Sequence, residues 1–71
     1  MYKVNLRKER STWYYFTTNP LGGGFGSNYC GPKKIAFGMA IHNIPFGAKY
    51  ELIVNNKNQG VFDRTKDERT F

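Results

Sequence analysis

The chain has little cysteine, histidine or acid. Cys30 is its sole cysteine and His42 its sole histidine, among 71 residues. One thiol cannot close an internal disulfide, so no disulfide framework holds this domain. Cys30 and His42 together fall short of the four ligands of a typical structural zinc site. Cys30 therefore reads as a small buried residue rather than a nucleophile. Nothing in the chain calls for a cofactor. Long apolar runs are also missing. The longest, Ile35 to Ile41, is far below the roughly 20 residues a spanning helix needs. The N-terminal stretch alternates and does not form the apolar block of a secretory leader. The expectation is a cytoplasmic or virion-associated protein without a membrane span.

The shortage of acid leaves a surplus of base. Eleven Lys and Arg face five Asp and Glu, a formal net charge of +6. Lys3, Arg7, Lys8 and Arg10 make one patch, Lys33 and Lys34 a second, and Arg64 lies near the end. Such a balance attracts nucleic acid, anionic lipid, an acidic cell-wall polymer or an acidic protein surface, and does not choose among them. A cationic membrane peptide would need an amphipathic helix or a disulfide frame, and the sequence offers neither.

What the chain does have is aromatics and glycine: six Phe, five Tyr, one Trp and eight Gly. The glycines oppose long helices, and the aromatics add buried area to a small core. The reading is one β-rich domain over residues 1–71, with 64–71 prone to fray. Tyr2, Val4 and Leu6 alternate with polar residues, which predicts a half-buried strand. The run 12–18 is strongly β-prone and should pair with it as a hairpin. The Gly-rich stretch 21–28 reads as a loop. It does not read as a phosphate cradle, because no helix pattern follows it. Ile35, Phe37, Met39 and Ile41 alternate with small residues and predict a further strand. Pro45-Phe46-Gly47 makes a stiff corner. Tyr50, Leu52 and Val54 then share one face of a strand. Residues 55–60 read as a turn and 61–63 as a short last strand.

Two titratable residues flank the central strand: His42 before the corner and Asp63 after the turn. An antiparallel return could bring them into one cleft as an acid/base pair. The run from Met39 to Leu52, followed by Val61-Phe62-Asp63-Arg64, resembles the signature half of double-psi β-barrels of the rare lipoprotein A type. That barrel also occurs in expansins and certain lytic transglycosylases. Ser11-Thr12-Trp13-Tyr14 is similar to the opening of the same family. The resemblance implies an all-β fold, a small six-stranded or reduced double-psi-like barrel with its last strand missing. It also implies that Asp63, with His42, acts on glycan strands, while Trp13 and Tyr14 border the sugar groove. Thr65 and Lys66 replace the family's Gly and Pro, and activity is left open.

Two functions follow. One is a cell-wall glycan (peptidoglycan) binding module. The other is a basic non-enzymatic β-domain, of the kind phages encode, that binds nucleic acid or inhibits a host nucleic-acid-handling protein. For the second, Lys33, Lys34 and Arg64 are the binding candidates. A reduced barrel would leave an unpaired strand edge, through which a homodimer could form.

Overall fold

A computed structural model describes residues 1–26 and 31–65. Among the described residues the chain is mostly β, with one helix: β1 (Tyr2–Glu9), β2 (Thr12–Thr18), β3 (Gly24–Gly26), α1 (Lys33–Ile41), β4 (Lys49–Val54) and β5 (Lys57–Asp63). The strands form one five-stranded sheet in the order β3-β2-β1-β4-β5. β1 and β4 are parallel and every other neighbouring pair is antiparallel. The sheet is open, with β3 and β5 as its edges, so the expected six-stranded barrel is not formed.

The two hairpins arise from local chemistry. Glu9 pairs with Thr12, leaving Arg10 and Ser11 as a two-residue turn, both at positive φ (52° and 70°). Val54 pairs with Lys57 around Asn55 and Asn56, again both at positive φ (50° and 69°). Two successive positive φ values mark the turn whose twist matches a right-twisted hairpin. The second turn is therefore only two residues long. Residues 57–60, expected within it, belong to β5, and a bulge between Leu52 and Ile53 accommodates the extra residue. Within the stretch expected to be loop, Gly24–Gly26 pairs with β2 as a strand.

The largest departure is α1, where an alternating strand was expected over Ile35 to His42. The period-of-two reading grouped Ile35, Phe37, Met39 and Ile41 on one bulky face of a strand. In fact Ala36, Phe37, Ala40 and Ile41 are buried, while Ile35 and Met39 are about half exposed (50% and 46%). Buried positions spaced by one, three and one form a helical stripe. Its alanines are small enough for the helix to lie close to the sheet. The alternation was coincidental: the bulky set it grouped is split between the buried and exposed sides of α1, while two of its small residues, Ala36 and Ala40, face the sheet.

The helix covers one face of the sheet. Val4, Leu6, Tyr15, Tyr50 and Leu52 point into this interface and, with the buried helix residues and Ile44, form the core. This is a two-layer arrangement in which sheet and helix each bury one side. Thr17 is the one buried polar residue among the described residues outside the tyrosines of the core, and its Oγ1 donates a 2.7 Å hydrogen bond to the Ala40 carbonyl oxygen in the last turn of α1. Helix ends leave carbonyls unsatisfied, so this bond ties helix and sheet together at a point of need. Thr17→Val keeps the shape and strands that carbonyl. A loss of about 1–3 kcal/mol is expected in urea unfolding; a loss within error would show that water satisfies Ala40 instead.

Arg64 is held, contrary to the expected fraying from residue 64. Its N–H donates to Ala48 and its carbonyl accepts from Gly47, both at 2.8 Å. Its Nε donates to the Ile41 carbonyl at 3.0 Å, and the guanidinium lies 4.6 Å from the Phe46 ring centroid. Cys30 and residues 66–71 lie outside the described residues, so the reading of Cys30 as buried stands apart from this description.

Candidate functional site: a basic end and an open sheet face

Strand direction sorts the molecule into two ends. β1 and β4 both run toward the end that carries the Arg10-Ser11 and Asn55-Asn56 turns. The two turns are joined there: the Asn55 N–H donates to the Leu6 carbonyl (2.8 Å), and the Asn55 Oδ1 accepts from the Lys8 N–H (2.9 Å). α1 starts at this same end, because Gly31 pairs with Trp13 and accepts its N–H at 2.8 Å. Arg7, Lys8, Arg10, Lys33, Lys34 and Lys57 therefore gather at one end. Glu9 is the only acid there among the described residues.

Several of these cations sit where local stability would prefer something else. Arg10 occupies a positive-φ turn position that Asn or Gly fills at less cost. Lys33 and Lys34 open a helix whose first turn has no acidic residue and whose N-cap, Pro32, makes no side-chain cap. The N-terminal end of a helix already carries partial positive charge and favours anions. Lys33 gains some compensation by placing its Nζ 5.1 Å from the Trp13 ring centroid.

The sheet face opposite α1 is uncovered. Cross-strand partners share a face, which puts Lys3, Asn5 and Arg7 of β1 on this side with Tyr14 and Phe16 of β2. Asn5 faces Phe16, and Arg7 faces Tyr14. A shallow depression of about 730 Å³ lies here, lined in part by Asn5, Arg7, Tyr14, Phe16, Gly26 and Asn56. Arg7 makes a 3.2 Å ion pair with Glu9, both side chains more than half exposed. Such a surface pair is worth about 0–1 kcal/mol and is readily exchanged for another anion.

The candidates named from sequence are distributed unevenly over this frame. Trp13 and Lys33 come together, and Lys34 lies on the same helix turn. Trp13 and Tyr14 are consecutive in β2 and so point to opposite faces, which prevents them from lining one groove. Arg64 is at the other end, fixed over Phe46. His42 is the exposed C-cap of α1, bordering a shallow apolar groove with Lys34, Ile35, Gly38 and Met39. Asp63 pairs with Lys49 on the open face through a 2.7 Å contact. His42 and Asp63 thus make different contacts, one on the groove of α1 and the other with Lys49 on the sheet face away from the helix. Comparison with protein-family models, curated proteins and solved structures returns no match. Among the described residues, no helix is long and apolar enough to cross a membrane, and no group of three His, Cys, Asp or Glu could hold a metal ion.

Residues that sequence reasoning left out are Asn5, Phe16 and Lys57, along with the merging of two basic patches into one. The alternation of 2–7 and the β-run 12–18 contained part of this signal. A hairpin closed at Arg10-Ser11 puts Arg7 opposite Tyr14 and Asn5 opposite Phe16. The position of Lys33 and Lys34 depended on α1, which the alternation concealed.

Proposed function

We propose that the chain is a non-enzymatic nucleic-acid-binding domain that holds phosphates at its basic end. The observation that carries this reading is the collection of cations around the two turns and the helix start, at positions that disfavour them locally. Arg10 in a positive-φ turn and two lysines opening an uncapped helix are poor choices for stability. All place positive charge in one small region, and a phosphate backbone is the ligand that such a region attracts. The glycan reading, by contrast, needed a strand where α1 stands and a cleft shared by His42 and Asp63. It is left with its sequence resemblance alone.

Salt tests the proposal. Binding to a labelled oligonucleotide should weaken linearly on a log–log plot against salt, with a slope of about −0.7 per phosphate contact on a single strand and about −0.9 on a duplex. Affinity that is flat between low and moderate salt, or binding only to peptidoglycan, would remove the reading. Lys34→Glu gives a sharper version, because its two effects have opposite sign. An acid in the first helical turn should stabilise the fold by about 0.3–1 kcal/mol, raising the thermal midpoint, while oligonucleotide affinity falls. A variant that loses both stability and affinity would show that Lys34 serves the fold.

A further inference from the structure

Building on the phosphate reading, we propose that the uncovered sheet face is a stacking platform for bases, so that the ligand is single-stranded nucleic acid and not duplex. The first observation is the setting of Phe16. It lies on the open face and is 49% exposed. Its partner on the edge strand is Gly26, and Gly24 lies two residues away on the same face of β3. A Cβ built on Gly26 would come 2.7 Å from the Tyr15 carbonyl oxygen and 2.8 Å from the Phe16 Cδ1, and one on Gly24 would come 2.9 Å from the Phe16 Cζ and 3.0 Å from the Thr17 carbonyl oxygen. The ring thus fills the room that two missing side chains leave on β3. Any larger residue at either position would press on both the ring and a β2 carbonyl. The glycines weaken an edge strand and in return seat an aromatic ring on the surface of the sheet.

The second observation is what surrounds that ring. Tyr14 stands on the same face two residues along β2, about 7 Å away at strand spacing. That is about twice the 3.4 Å spacing of a stacked strand. Bases taken by both rings would therefore be unstacked from each other, which a duplex does not permit and a single strand does. Asn5, directly across from Phe16, has an amide with no protein hydrogen-bond partner among the described residues and can meet the edge of a base. Arg7, opposite Tyr14, leads from this platform to the cations around the turns. Aromatic rings on an open sheet, flanked by positive charge, are what a single strand needs: π-faces for its bases and cations for its phosphates. The net charge of +6 supplies the complementarity.

The test measures anisotropy of a short fluorescein-labelled oligothymidylate, and of a duplex of equal length, with the full chain and with Phe16→Ala, Phe16→Tyr and Lys34→Glu. Phe16 is exposed, so the variants should fold, and circular dichroism checks that they do. The expected result is preference for the single strand, a loss of roughly 5- to 150-fold in Phe16→Ala, and near-full affinity in Phe16→Tyr, which keeps the ring. Phe16→Ala binding as tightly as the parent, or a parent that prefers duplex, would overturn the platform and leave the phosphate reading standing if Lys34→Glu still weakens binding. A parent that binds neither nucleic acid in a salt-dependent way would overturn both.

Discussion

Leu52→Ala should bring the domain close to unfolding, while Met39→Ala should barely disturb it. Leu52 is 1% exposed in the middle of β4. It lies between Val4 on the parallel neighbour and Gly60 on the antiparallel one. Removing a buried leucine side chain costs about 2–5 kcal/mol, and more when the surroundings cannot collapse into the void. Gly60 offers no side chain to move in from its side, which places the expected loss in the upper half of that range. A chain of this length has a total stability of roughly 4–11 kcal/mol at typical values per residue. Met39, on the outward side of α1, should cost within about 0.5 kcal/mol. Urea titrations of the two variants measure the difference directly. Comparable losses would mean that Met39 faces the interior, and the helix orientation would have to be abandoned.

The second large effect is on binding. Lys8, Arg10, Lys34 and Lys57 all have exposed side chains, so replacing them together with Gln should leave the fold nearly unchanged. Their contribution to phosphate binding should disappear. If all four touch phosphates, the log–log salt slope on a single strand falls in magnitude by about 3, since each lost contact removes about 0.7. The control neutralises two exposed charges away from the turns, Lys3 and Lys49, and the two variants are compared per charge removed. A basic end acting as the phosphate site predicts a much smaller change in the control. Equal losses in the two variants would reduce the effect to net charge, with no localised site.

Much of the β framework was legible from the residues. Alternation in 2–7 and the β-prone run 12–18 gave the first hairpin, and the phase of Tyr50, Leu52 and Val54 gave the inward face of β4. The helix was not legible, and the reason is physical. In a nine-residue segment, a stripe of Ala, Phe, Ala and Ile at helical spacing coexists with bulky residues at every second position. Two alanines and Met39 favour a helix by propensity, but it begins with two lysines, contains Gly38 and lacks a side-chain cap. Its stability comes from burial of Phe37, Ile41 and the alanines against β1 and β2, and that is information from tertiary packing. The site suffered the same loss. The antiparallel return that was to bring His42 and Asp63 together does form, but it pairs Asp63 with Lys49 on the face away from α1, where His42 sits at the C-cap. Asn5 and Phe16 needed the sheet's free side to be known. Arg64 looked like a free cation and proves to be a clasp over the corner at Phe46.

The parallel seam between β1 and β4 has a kinetic consequence. Each hairpin closes over a two-residue turn and can form within microseconds. Joining them requires Tyr2 to find Tyr50, with β2, β3 and α1 already accommodated in between, and the chain entropy of that large loop is lost before its contacts are gained. The transition state should therefore contain the docked seam. Substitutions at Val4 and Leu52 would slow folding, whereas those in the outer strands, far from the seam, would mainly hasten unfolding.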